Sequence, residues 1–314
     1  MIQGFGRPAI AGLLALIVML AGCATPQVGA LLARPPATLP ERAELASVPF
    51  FPQEDYQCGP AALATVLVNS GVDTSPAALV PQVYLPAREG SLQTEMLAAT
   101  RRHGRVAYRL APRLQDVLLE VAAGNPVSVL QNLSFSFAPL WHYAVVVGYD
   151  RQREEIFLRS GVTRRLTMSL STFERTWARS EYWAMTALPP RRLPHTASEA
   201  DYVAAVAALE RASLADARQA YAAALDRWPG NLLARIGSGN TAYALGDLTA
   251  AEAAYRQATR DHPQSGDAWN NLAQVRFELG RKTEALSAAR QAVALGGVRL
   301  TQYRETLKAI AAAP

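Results

Sequence analysis

The sequence predicts an α+β domain followed by an all-α solenoid of helical repeats. Three observations carry this. Helical patterns come first, between residues 60 and 123, and strand-like runs follow from 126 to 167, so helices and sheet are segregated rather than alternating. A proline-bearing segment, Pro189-Pro-Arg-Arg-Leu-Pro194, then interrupts the chain. Beyond it the sequence is alanine-rich and repeats itself every 34 residues, the mark of a stacked helical array. The chain has 314 residues, half of them hydrophobic, enough for two folded units.

The N-terminus reads as a targeting segment. Arg7 precedes the apolar run PAIAGLLALIVML, and small residues follow, in the order of a secretory signal. The run is too short for a comfortable membrane span. It ends in Leu20-Ala21-Gly22-Cys23, which resembles the bacterial lipobox. The resemblance implies cleavage before Cys23, lipidation of that residue and, with Ala24 next, sorting to the outer membrane, facing the periplasm. Residues 23–45, with the stretch PPATLPER, read as a tether.

From Val48 the pattern tightens. Pro60–Asn69 is an apolar helix, with proline suited to a first turn and Gly71 to its stop. Leu92–Gly104 and Leu114–Ala123 read as two more helices, the latter ended by Gly124. Pro126–Leu130, His142–Gly148 and Glu155–Arg159 are β-rich runs, the last two joined by a turn around Asp150, and Thr163–Thr167 adds a further strand. The first domain therefore spans 46–188, and 189–197 is the linker.

Residues 198–314 carry the repeats. At a period of 34, Ala217, Ala251 and Ala285 coincide, as do Ala224, Ala258 and Ala292; Tyr221 matches Tyr255, Gly246 matches Gly280 and Pro229 matches Pro263. These positions resemble the tetratricopeptide repeat, with small residues where paired helices approach, glycine at the turn and proline after the second helix. Gly239, Trp269 and Leu272 fit the pattern; Ala212 stands where the first copy would have its turn glycine. The resemblance covers about 198–297, with 298–312 as a capping helix, and implies a concave face that holds a protein partner.

The chemistry concentrates at Cys58, in PQEDYQCGPAAL. It is one of two cysteines; if Cys23 carries lipid, Cys58 has no partner within the chain. It sits at the leading edge of the helix that Gly59-Pro60 begins. A thiol attacks as thiolate, and a helix N-terminus and a nearby imidazolium both lower its pKa, so a lowered value is expected here. Of the four histidines, His103, His195 and His262 read as surface residues. His142 opens an apolar strand in the same domain.

Gln53-x4-Cys58-Gly59-Pro60-Ala61-Ala62-Leu63, followed by His142-Tyr143-Ala144-Val145-Val146-Val147-Gly148-Tyr149, resembles the bacteriocin-processing (double-glycine leader) peptidase family, over about residues 46–188. The resemblance implies a papain-like cysteine peptidase fold, with Cys58 as nucleophile and His142 as general base and acid. It also implies a glutamine in the oxyanion hole, Gln53 or, failing it, Gln57, beside the Cys58 backbone N–H. The family's orienting aspartate is absent: Ser160 stands at its position, with Asp150 and Asn132 as other candidates. No GxxxxGK[ST] phosphate loop is present, unlike in the export ATPases that carry such peptidases. Three readings follow: a lipid-anchored peptidase acting on a peptide or protein substrate, a catalytically inactive binding scaffold, or an acyl transfer other than proteolysis that uses the same cysteine and histidine. No cofactor is expected, and the scattered Cys and His give no metal-ligand spacing. The formal net charge of +5 is diffuse, without a basic block, so nucleic acid is not an expected partner.

Overall fold

The computed structural model describes residues 25–53 and 57–314; the expected signal segment and Cys23 lie outside the described residues. The chain falls into two compact units that interleave in sequence. The first gathers the chain up to Asn69, Asp73–Leu92 and Arg109–Thr186; the second gathers Ser70–Val72, Gln93–Tyr108 and Ala187–Pro314.

The region read as a tether is structured from Pro26 onward. Helix α1 (Pro26–Ala33) buries Val28 and Leu31. Its unpaired N-terminal N–H groups find a carboxylate far away in sequence: Gln27 and Val28 donate to Glu174 at 3.0 and 2.7 Å. A helix N-terminus favours such a negative charge. Strand β1 (Arg42–Glu44) then joins the main sheet. Local sequence does not announce either element because their partners come from the other end of the domain.

Helix α2 (Cys58–Asn69) follows, with Gly59 to Leu67 buried on every side, as an all-apolar helix must be. Next come α3 (Pro76–Val83), capped by Ser75, and the hairpin β2 (Tyr84–Leu85) and β3 (Gly90–Ser91). Helix α4 (Gln93–Arg102) and most of β4 (Val106–Arg109) belong by contact to the second unit, although the sequence places them inside the 46–188 stretch. The first unit resumes with α5 (Leu114–Ala122), β5 (Val127–Asn132), β6 (Trp141–Asp150), β7 (Glu155–Ser160), β8 (Thr163–Ser169), α6 (Leu170–Ala178) and β9 (Ala184–Leu188). Strands β9, β5, β6, β7 and β8 form an antiparallel sheet in that order, and β1 pairs with the far end of β6. Gly148 permits that last pairing: a Cβ there would lie 2.8 Å from the Ala43 carbonyl oxygen and 2.7 Å from the Phe157 ring. Helix α2 packs on β5, β6 and β7, so its first residue meets the start of the central strand.

The second unit holds three helical hairpins: α7 (Glu199–Glu210) with α8 (Leu214–Arg227), α9 (Leu232–Ala244) with α10 (Leu248–Asp261), and α11 (Gly266–Glu278) with α12 (Lys282–Leu295). Helix α13 (Leu300–Ala312) closes the array. Ser213 and Asp247 cap equivalent helices 34 residues apart, as do Asn231 and Ser265. Gly246 and Gly280 adopt left-handed backbone at the turns, with φ of 79° and 76°. The repeated alanines 217, 224, 251, 258, 285 and 292 are all buried at the helix contacts. Among the described residues no helix is long and apolar enough to cross a membrane, and no group of three or more His, Cys, Asp and Glu residues is placed to hold a metal ion.

Candidate active site

Cys58 opens helix α2, whose first backbone hydrogen bond runs from Ala61 N to Gln57 O at 3.2 Å. Among the described residues the N–H groups of Cys58 and Gly59 have no intrahelical partner, and both turn towards the thiol. A third N–H reaches it from the sheet, that of Tyr143, the residue after His142. Helix end and central strand thus converge on one sulfur.

The electrostatics run against the sequence expectation. Burial pushes the Cys58 thiol up, and the N–H groups of Tyr143, Gly59 and Cys58 itself only partly offset this. Burial also pushes the His142 imidazole below its ordinary value. Removing either charged form from water disfavours it, so burial works against a thiolate and against an imidazolium here.

His142 lies on β6 opposite Gln131 of β5. On the other side Val145 pairs with Arg159, so His142 and Ser160 share a sheet face. His142 Nε2 and Ser160 Oγ are 2.8 Å apart. This contact leaves Nδ1 as the ring nitrogen open to another partner. The other two candidates for an orienting group sit elsewhere. Asp150 accepts from Arg153 N at the exposed hairpin turn, and Asn132 Oδ1 accepts from Ser134 N and Leu140 N within the β5–β6 loop.

Gln53 arrives on a strap. Leu45 N donates to Val147 O, Gln53 N donates to Gly161 O, and between them the chain runs over a buried guanidinium. Arg159 donates to the carbonyls of Ala46, Val48 and Arg164 with its Nη2, Nε and Nη1. Gln53 Nε2 approaches Tyr143 O at 3.5 Å, so the amide and the thiol face the same residue from its carbonyl and amide sides. Gln53 and Gln57 both line an open cavity of about 460 Å³ beside α2, together with Pro52, Ala61, Ala77 and Val80. The sequence had not singled out Arg159 or Tyr143. An arginine inside the apolar run Ile156-Phe157-Leu158-Arg159 was the available signal, because a cation in such a run needs several acceptors.

Residues 45–185 match the model of the Peptidase_C39 like family, and residues 236–298 match that of the tetratricopeptide repeat. No curated protein matches the chain by sequence. Among solved structures, one described as a C39-like peptidase from Bacillus anthracis aligns with 19% identity and a TM-score of 0.39, covering 48% of this chain and 98% of that one. The Sgt2 tetratricopeptide-repeat domain from Aspergillus fumigatus aligns with 21% identity and a TM-score of 0.33, covering 36% of this chain and 76% of that one. The first such repeat of Spaghetti, bound to an HSP90 peptide, aligns with 17% identity and a TM-score of 0.31, covering 35% and 94%.

Proposed function

We propose that this chain, in which a C39-like peptidase domain is joined to tetratricopeptide repeats, is an exported, lipid-anchored cysteine peptidase. The observation that carries the reading is that the Cys58 thiol and the Gln53 amide meet Tyr143 from its N–H and carbonyl sides, next to His142, whose ring is paired with Ser160. The site is built for general-base catalysis rather than for a preformed ion pair.

Cys58 Sγ attacks the peptide carbonyl carbon and gives its proton to His142 Nδ1 as the C–S bond forms. The oxyanion that results is held by Gln53 Nε2 and the Cys58 N–H, a role in which losing one donor typically costs about 100–1,000-fold in rate. The intermediate collapses, the C–N bond breaks, and His142 returns the proton to the leaving amine. Water then attacks the thioester with His142 again as base, releasing a carboxylate and restoring the thiol. Ser160 orients the ring throughout. The cavity beside Gln53 and Ala61 takes substrate, and the repeats hold a protein partner or the substrate's remote segment. The lipid on Cys23 retains the enzyme at the outer membrane, on its periplasmic face.

The test is hydrolysis of a quenched-fluorescent peptide library by the purified chain, beside Cys58→Ala and His142→Ala. Cleavage by the parent that disappears in both variants is expected. A second reading, an inactive binding module, is favoured by the neutral hydroxyl at Ser160 and the raised thiol. It gains the ground if no peptide is cut and Cys58 alkylates no faster than a free cysteine at any pH. Palmitate incorporation that vanishes in Cys23→Ser tests the anchor independently.

A further inference from the structure

The loop between β5 and β6 exposes an apolar tip that the catalytic reading does not use. Leu133, Phe135, Phe137, Leu140 and Trp141 are 42%, 65%, 86%, 60% and 47% exposed. The stretch from Gln131 to Trp141 carries no charged residue. Nor is it a loose excursion. Leu133 N donates to Leu140 O, Asn132 Oδ1 takes two further N–H groups, and Phe135 and Phe137 stack with ring centroids 5.3 Å apart. Five projecting apolar side chains on an ordered loop are costly in water and mark a surface meant to be covered. None of these residues lines the cavity beside Gln53 and Ala61.

The first described residues indicate what covers it. Cys23 is three residues before Pro26, a reach of about 10 Å at most. Pro26 begins a helix that Glu174 fixes to α6. The aromatic loop is fixed to the end of the same helix, where Arg179 Nη1 donates to Asn132 O at 3.0 Å and Ser134 O at 2.7 Å. Five residues of helix separate the two attachment points, roughly 7.5 Å. A lipid on Cys23 therefore leaves no slack to hold this domain away from the bilayer. We propose that the 133–141 loop inserts into the lipid surface, with Phe135 and Phe137 among the acyl chains and Trp141 at the headgroup boundary. His142, the next residue, then works beside the membrane, and substrates that emerge from or lie on the bilayer are the ones presented to it. The inference rests on the lipid-anchor reading for its orientation, but the loop's own affinity for lipid does not depend on it.

The experiment separates the two. A chain beginning at residue 23, with Cys23→Ser and every described residue retained, is sedimented with phosphatidylethanolamine–phosphatidylglycerol vesicles, beside the same chain carrying Phe137→Ser or Phe135→Ser with Phe137→Ser. Phe137 is almost wholly exposed, so its loss leaves the core intact. Partitioning of the parent, with a drop of about tenfold or more in the double variant and a smaller one in Phe137→Ser, is the expected result. The proposal is overturned if the parent stays in the supernatant at every lipid concentration, or if the variants partition equally. It is also overturned if the variants lose only peptide cleavage, or only self-association in sedimentation equilibrium, since the loop would then belong to substrate or to a second copy. Failure of palmitate incorporation at Cys23 with intact vesicle binding refutes the anchor and leaves the loop's role standing.

Discussion

At the scale of single residues the question is what a serine does where an aspartate would lock the imidazole. A carboxylate admits one arrangement, with Nε2 protonated and Nδ1 free to take the thiol proton. The Ser160 hydroxyl can donate to Nε2 or accept from it, so it orients the ring without choosing its tautomer. Nor does it supply charge to oppose the burial that lowers the His142 pKa. The acid limb of the rate profile, where His142 must be neutral to accept the proton, should lie below the ordinary imidazole value of 6.5. Ser160→Ala should leave that limb in place and cost about 10–100-fold in rate, as loss of a positioning partner does. Ser160→Asp should move the limb up in pH and let Cys58 alkylate at lower pH. The stability signs follow. In the parent, the unfolded chain takes up a proton below 6.5 that folded His142 resists, so stability falls as the pH drops through that value. In Ser160→Asp the folded imidazole pKa is raised, which stabilises at low pH and is lost as pH rises through the folded value. Between about pH 7 and about pH 5 the melting temperature of the parent should therefore fall more than that of Ser160→Asp. Identical slopes and identical acid limbs would remove Ser160 from the site. The residue types of this site were legible: cysteine before a helix, histidine opening a strand, serine on the next strand. The direction of the thiol's pKa was not, because it follows from burial by segments remote in sequence.

At the scale of elements, what could be read depended on where each element finds its partners. Helices α2 and α5 and strands β5, β6 and β7 announce themselves by periodicity within a dozen residues and lie within two residues of the expected bounds at every end. Helix α1 does not. Its 8 residues follow no strong apolar stripe, and its N-terminus is satisfied by a carboxylate 147 residues from Gln27. A short helix of this kind is marginal alone and forms because tertiary contacts hold it. Glu174 is 1% exposed, accepts two backbone N–H groups and has its charge placed at the positive end of α1. Glu174→Gln removes that charge and turns one acceptor into a donor facing an N–H. A loss of about 1–3 kcal/mol is expected, concentrated in α1. Hydrogen exchange should show Gly29 to Arg34 losing protection while α2 keeps its own, and limited proteolysis should cut near Ala33. If α1 stays protected in the variant, Val28 and Leu31 hold it without the carboxylate and the tether reading fails for a different reason.

At the scale of the whole molecule, the proline-bearing segment 189–194 invites a cut between peptidase and repeats, and the contacts argue against one. Helix α4 and residues 106–108 of β4 cluster with 187–314. Tyr108, 2% exposed, accepts from Ser198 N at 3.2 Å through its hydroxyl. A Cβ at Gly104 would lie 2.4 Å from Asp216 Oδ2, and the left-handed φ of 67° at Gly104 suits glycine independently. The repeat sequence is legible because its 34-residue period is written three times, whereas this attachment occurs once, between residues about a hundred positions apart, and leaves no periodic trace. A chain ending at residue 188 would keep α4 and β4 but lose the helices they cluster with, leaving Tyr108, which is buried and accepts from Ser198 N in the full chain, without that partner. Burial of such a side chain contributes about 1.5–3 kcal/mol, so the truncated protein should melt several degrees below the peptidase transition of the full chain and bind a hydrophobic dye. Serine placed at Tyr108 in the full chain should reproduce part of that loss. A truncated protein that melts with the parent and leaves the dye dark would mean that the burial of 93–108 does not depend on the repeats it clusters with.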